Sequence, residues 1–242
     1  MKIKKVGVIG CGTMGVGVAQ VVAQAGIDVV SVKATPGAVD KVRDNLEKAL
    51  SKSVERNKLE ASVKDTILSH ITFTNNEADV ADCDLIIESI VEDIDTKTAL
   101  FQRLEGIVSP ECILTTNTST LSVTALMSAC KTRGRVAGLH FFNPAPAMQL
   151  VEIIHAFETS EGTIAQLTKF CGKVGKDPVL VQDTTGFIVN RLLTPYMLNA
   201  IRLLEQGTGS IEAIDKAMML GAAHPMGPFA LADYIGLDVV QA

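Results

Sequence analysis

The sequence predicts an α/β protein in which a doubly wound, mostly parallel sheet is followed by a smaller all-helical domain. Three observations predict it. A short β-branched run ends in a glycine cluster and passes straight into a helix; strand-like and helical segments alternate to about residue 155; and from Phe187 the pattern turns helical almost to the end. Parallel strands need long crossovers, and the intervening helical segments supply them. Asp183-Thr-Thr-Gly186 interrupts the pattern and puts the boundary between residues 1–185 and 186–242.

Lys5-Val6-Gly7-Val8-Ile9-Gly10 reads as the first strand, Thr13 to Ala25 as a helix closed by Gly26, and Asp28 to Lys33 as the second strand. Together they form one βαβ unit. Pro36 is expected to open an amphipathic helix reaching about Lys58, with Val39, Val42, Leu46, Leu50 and Val54 at spacings of three and four. Its polar face carries Lys41, Arg43, Lys48, Lys52, Arg56 and Lys58. Ile71 to Thr74, Leu85 to Glu88, Ile113 to Thr116 and Val136 to His140 read as strands, with helical segments such as Lys97 to Leu104 between them. A helix from Gly162 to about Val174 and a strand over Pro178 to Gln182 follow. Phe187 to Glu205 is apolar on nearly every face, which predicts burial on all sides, inside a bundle or a subunit interface.

Composition removes whole classes of function. With 47% hydrophobic and 20% charged residues among 242, the chain has the material for a core, which excludes a disordered protein. Lys plus Arg number 22 against 27 Asp plus Glu, a net charge of -5, and Trp is absent, so no nucleic-acid partner is expected. The five cysteines, Cys11, Cys83, Cys112, Cys130 and Cys171, are odd in number and widely spaced without a Cys-x-x-Cys, which predicts reduced thiols in the cytoplasm and no metal site. The uncharged stretch Val6 to Ile27 after Lys2, Lys4 and Lys5 imitates a targeting or membrane segment, but its five glycines and Gln20 and Gln24 argue against one, so no membrane partner is expected.

Gly10-Cys11-Gly12-Thr13-Met14-Gly15 fits G-x-G-x-x-G between a strand and a helix, the setting that gives this motif a mechanism. The first glycine permits the turn, the second admits a pyrophosphate to the backbone, the third lets helix and strand pack closely, and the helix N-terminus faces the phosphate charge. A carboxylate at the end of the second strand would bind an adenosine ribose, but Lys33 stands there, with Thr35 nearby. An ammonium can accept a 2′-phosphate, so NADP(H) is permitted beside NAD(H); alternatively Lys33 points into solvent and backbone groups hold the ribose.

His140-Phe141-Phe142-Asn143-Pro144 follows a strand, and Glu152 comes twelve positions later. A histidine and a carboxylate at strand ends can meet across a cleft, where the imidazole takes a proton from a secondary alcohol and the carboxylate fixes its tautomer; the other reading of His140 is a structural histidine. Asn117-Thr118-Ser119-Thr120 closes a strand where ligands of such sheets collect, and can orient a carbonyl or a nicotinamide, or cap a helix. Asn190 lies just inside an apolar helix and needs a polar partner.

These segments, with Gly186-Phe187-Ile188-Val189-Asn190-Arg191 and His224-Pro225-Met226-Gly227-Pro228 leading to Gly236-Leu237-Asp238, resemble the L-3-hydroxyacyl-CoA dehydrogenase family across almost the whole chain. The resemblance implies a Rossmann-type NAD(P)-binding domain, a helical domain for substrate and dimerisation, and a reaction in the cleft between them. By it, His140 is the base, Glu152 its partner, and Ser119 and Asn190 bind the substrate oxygen. Gly10, Gly12, Thr13, Met14, Gly15, Lys33, Glu92, Lys97, Ser119 and Asn143 lie near the cofactor, and coenzyme A lies against Lys52 and Arg56 on the basic face of the long helix, a face that can equally be a solvated one. The expected reaction is hydride transfer between a 3-hydroxyacyl-CoA, in particular 3-hydroxybutyryl-CoA, and its ketone. Rival expectations are a dehydrogenase of a free hydroxy acid or an acyl-carrier-protein thioester, and a non-catalytic nucleotide-binding protein. Three departures from the family stand out: Lys33 for the usual acid, Asp93 where Asn often follows Glu92, and a sequence that ends at Ala242, soon after Gly236-Leu237-Asp238, where the family continues through further dimer-forming helices. The expectation is a homodimer where those helices are present.

Overall fold

The computed structural model describes residues 2–35 and 37–237. Its chain divides into two compact units, one ending at Thr185 and one beginning at Gly186.

The first unit is built on an eight-stranded sheet in the order β3-β2-β1-β4-β5-β6-β7-β8. The strands are β1 (Lys5–Ile9), β2 (Asp28–Val32), β3 (Ile71–Thr74), β4 (Leu85–Glu88), β5 (Ile113–Thr116), β6 (Val136–Phe141), β7 (Leu150–His155) and β8 (Asp177–Gln182). The first six run parallel; β7 is antiparallel to β6, and β8 parallel to β7. Helices α1 (Thr13–Gln24), α2 (Asp40–Glu55), α3 (Ala61–His70), α4 (Ile94–Ile107), α5 (Val123–Ser128) and α6 (Glu161–Lys173) supply the connections. The central strands are near-continuous apolar runs because both faces are covered: Val6, Val8, Ile9, Leu85, Ile86 and Ile87 are fully buried. Each such side chain contributes roughly 1.5–3 kcal/mol.

Strand order reverses at β1, which has β2 on one side and β4 on the other. Ligands of open α/β sheets bind at the carboxyl ends of the strands at such a switch point, and that end of β1 carries the glycine turn.

Two helices differ from expectation. The helix expected from Pro36 to about Lys58 runs instead over Asp40–Glu55; Pro36 itself lies outside the described residues. Gly37 has φ +120°, outside helical space, and its carbonyl accepts the Asn75 side-chain amide at 3.3 Å, so the chain after β2 is held as a loop. At the other end Asn57 turns left-handed at φ 54°. The intervening α3 buries Ile67 and has no counterpart in the sequence reading.

The second unit contains α7 (Val189–Glu205), α8 (Ile211–Gly221) and α9 (Pro228–Ile235), with α9 packed on both others. Within the single chain α7 buries Met197 and Ala200, whereas Leu192 is 68% exposed, so of the two expected settings burial inside a bundle of this chain alone is incomplete. One face packs on its neighbours and the opposite face stays open. Among the described residues no helix is long and apolar enough to cross a membrane.

Candidate active site

The three motif glycines are required for different reasons. At Gly10, φ +113°, an added Cβ would lie 2.1 Å from the Ser89 carbonyl oxygen, and at Gly15 it would lie 1.9 Å from that of Gly10. Both positions exclude a side chain because backbone already fills the space. A Cβ on Gly12 would meet nothing within 4 Å. Gly12 caps α1 without a side-chain hydrogen bond, and the first turn holds no acid, so amide donors and the positive end of the helix face open space beside Thr13 and Met14. A pyrophosphate fits here: the backbone can be approached closely only where no side chain projects.

Lys33 follows the last residue of β2. Its Nζ donates to the Thr35 carbonyl at 2.7 Å and to Thr35 Oγ1 at 3.0 Å, both at the surface of the loop that follows the strand.

At the ends of β4 and β5 a buried lysine organises two carboxylates. Lys97, 1% exposed, donates to Glu88 Oε1 at 2.6 Å and pairs with Glu92 Oε2 at 3.3 Å. Glu88 also accepts from the Ile90 amide at 2.7 Å and the Thr116 hydroxyl at 2.6 Å. Glu92 Oε1 takes the Thr118 hydroxyl in a short hydrogen bond and the Ser119 and Thr120 amides at 3.0 and 3.3 Å. Burial pushes the Glu92 carboxyl up, but the Thr118 hydroxyl, the Lys97 charge and the Ser119 amide outweigh it and hold it below the usual range. Lys97 thus acts on the strand ends through Glu88 and Glu92. Glu88 was missed by the sequence reading, although an acid closing the apolar run Leu85-Ile86-Ile87 signals a buried partner.

Glu92 therefore holds the loop that carries Ser119, whose half-buried hydroxyl has no partner among the described residues. Capping does not explain this segment, because the cap of α5 is Ser122, which accepts from the Ala125 amide. Asn117 braces the strand ends: its Oδ1 accepts from the Phe141 amide at 2.7 Å.

His140 and Glu152 do not meet across a cleft. They are direct partners in the antiparallel register of β6 and β7, with His140 Nδ1 2.8 Å from Glu152 Oε2 and both side chains buried. With the proton on Nδ1 directed to the carboxylate, Nε2 is the basic nitrogen, and the Phe142 ring lies 4.5 Å away by centroid. Such an imidazole can accept a proton while the buried carboxylate offsets the charge that forms. Beyond β6, exposed Asn143 begins the connection to β7. Lys176, also missed, donates to the Ala145 and Met148 carbonyls at 2.7 and 2.6 Å and pins that connection; burial lowers its ammonium pKa.

Residues 5–184 match the family profile described as 3-hydroxyacyl-CoA dehydrogenase, NAD binding domain, and residues 186–242 that of the 3-hydroxyacyl-CoA dehydrogenase C-terminal domain. The chain belongs to the 3-hydroxyacyl-CoA dehydrogenase family. It is 46% identical over 238 residues to a 3-hydroxybutyryl-CoA dehydrogenase of Clostridioides difficile, covering 98% of this chain and 85% of the relative. It is 45% identical, with the same coverage, to a probable 3-hydroxybutyryl-CoA dehydrogenase of Deinococcus radiodurans. The solved (S)-3-hydroxybutyryl-CoA dehydrogenase of Ralstonia eutropha superposes with a TM-score of 0.94 at 38% identity, over 99% of this chain and 85% of that one.

In this dehydrogenase, Asn190 is the second residue of α7 in the second unit and is half-buried. Lys52 lies on the exposed side of α2, and Arg56 sits just past its end as the C-cap. The face expected to be basic is mixed: Asp44, Glu47 and Glu55 line the same surface groove as Lys48 and Lys52. The helix carries acids and bases at interleaved positions, so its turns bring both signs together.

Proposed function

We propose that the chain interconverts a 3-hydroxyacyl-CoA and the 3-ketoacyl-CoA by hydride transfer with NAD, 3-hydroxybutyryl-CoA being the substrate to test first. The observation that carries this reading is the buried His140–Glu152 pair, set in the same sheet as an open glycine turn built for a dinucleotide. The names of the relatives point to the same reaction.

When bound, the dinucleotide supplies the hydride acceptor, or in reverse the donor. His140 Nε2 takes the proton of the substrate 3-hydroxyl as the carbon–hydrogen bond gives up its hydride; in reverse it returns that proton to the new alkoxide. Glu152 keeps the imidazole oriented and stabilises its cationic form. The Ser119 hydroxyl and the Asn190 amide donate to the substrate oxygen. Gly10, Gly12, Thr13, Met14 and Gly15 receive the pyrophosphate, and Lys33, Glu92, Lys97 and Asn143 serve the rest of the cofactor. Lys52 and Arg56 pair with coenzyme A phosphates. In this reading residues 1–185 form the NAD-binding domain and 186–242 the substrate and dimerisation domain. Exposed Leu192, Leu198 and Leu203 on α7 support a homodimer formed through the helical part. The five free cysteines support a cytoplasmic protein.

The test is reduction of acetoacetyl-CoA by NADH, followed by loss of nicotinamide absorbance. Turnover with this thioester and none with free acetoacetate is expected; turnover with the free acid alone would overturn the assignment.

A further inference from the structure

The structure places a lysine where the adenosine ribose of a dinucleotide is expected, and we propose that the site takes the 2′-phosphate of NADP(H), binding NADPH at least as tightly as NADH. The inference rests on the dehydrogenase reading and adds to it a choice of cofactor.

Three features carry it. First, the position is fixed by register. Val32, the last residue of β2, pairs with Ile9, the last of β1, and its carbonyl accepts the Gly10 amide at 2.8 Å. Lys33 therefore stands immediately beside the glycine turn. In βαβ dinucleotide sites the side chain at this point meets the ribose 2′ position: a carboxylate accepts from the 2′-hydroxyl and repels a 2′-phosphate, whereas a cation does the opposite.

Second, the ammonium is held rather than waving. Its bonds to Thr35 O and Oγ1 fold the side chain back over the loop. A cation already oriented loses less freedom when an anion arrives.

Third, the loop that carries it is fastened from behind. The Lys33 amide donates to the Thr74 carbonyl at 2.8 Å, and Asn75 Nδ2 reaches the Lys33 and Gly37 carbonyls at 3.4 and 3.3 Å. The strand end thus presents an ammonium and the neighbouring Thr35 hydroxyl together, the donor set a phosphate dianion needs. Gly37, at φ +120°, passes close to that ammonium: a Cβ there would lie 3.3 Å from Nζ.

Titration calorimetry of NADH and NADPH, without substrate, tests this on the wild-type chain and on Lys33→Asp, Lys33→Gln and Thr35→Val. In the wild type NADPH is expected to bind at least as tightly as NADH, with the steeper loss on adding salt. Lys33→Asp should shift the NADPH to NADH affinity ratio by about tenfold or more toward NADH, and Lys33→Gln in the same direction by less. Thr35→Val should weaken NADPH selectively. Weaker binding of NADPH than of NADH to the wild type would overturn the proposal while leaving the NAD-dependent reading intact, as would an unchanged ratio in Lys33→Asp. If that variant failed to fold, an unchanged ratio in Lys33→Gln would overturn it equally. Failure of both nucleotides to bind the wild type would bring down the dinucleotide reading and the proposal together.

Discussion

His140 Nδ1 lies 2.8 Å from Glu152 Oε2, and the two residues are cross-strand partners on β6 and β7, buried where the sheet passes from parallel to antiparallel. The reversal has a chemical consequence. Directly opposed residues of adjacent strands sit on the same face of the sheet, so the carboxylate is bound to the imidazole by backbone register rather than by a flexible loop.

Glu152→Gln should therefore separate charge from shape. The amide still fills the site but no longer offsets the imidazolium, and kcat is expected to fall by about 10²–10⁴ with little change in NADH affinity. Steady-state kinetics beside calorimetry check this. A large loss of NADH affinity at unchanged kcat would show that Glu152 serves the cofactor.

Lys97→Met should destabilise the fold strongly. It removes the cation from Glu88, whose side chain is fully buried, and breaking a buried pair from one side costs about 3–5 kcal/mol. Adding Glu88→Gln should recover part of that loss. Urea unfolding of the single and double variants measures both; a double variant less stable than Lys97→Met would contradict the pairing.

Acid should weaken the loop that carries Ser119. The folded-state pKa of Glu92 lies below its ordinary 4.5, so its contribution is fully present above that value and is lost as pH falls through the folded-state value. The stability difference between wild type and Glu92→Gln is expected to be constant from neutrality to about pH 5 and to shrink below the ordinary value. A difference that grows on acidification would contradict the hydrogen bonds assigned to Glu92.

Substitutions at the glycines should divide by cause. Gly15→Ala forces a Cβ to within 1.9 Å of the Gly10 carbonyl oxygen and should lower Tm markedly. Gly12→Ala enters open space and should leave Tm nearly unchanged while weakening NADH binding about tenfold or more. Thermal unfolding and calorimetry on both variants check this; equal effects on Tm would contradict the separate roles.

Much of this architecture was legible in the sequence because its causes are local. Ile71–Thr74, Leu85–Glu88 and Ile113–Thr116 were recognisable as β-rich runs with the bounds observed, and the glycine motif located the turn from its own residues. His140 and Glu152 were legible as a chemical pair, but their relation as strand neighbours depends on β7 reversing direction, which spacing does not encode. The late start of α2 depends on Asn75, 38 residues beyond Gly37. Glu88 and Lys176 were missed because their partners come from other elements. That Phe187 to Glu205 is apolar on most faces was legible, but composition reports that a helix is apolar, not which neighbours cover it, and within the single chain Leu192 is exposed.

The most direct test of the central claim is acetoacetyl-CoA reduction by a His140→Asn variant shown by calorimetry to bind NADH as the wild type does. Loss of turnover by about 10²-fold or more with the cofactor still bound is the result expected if His140 moves the proton. Turnover near the wild-type rate would contradict it and assign the proton to another group.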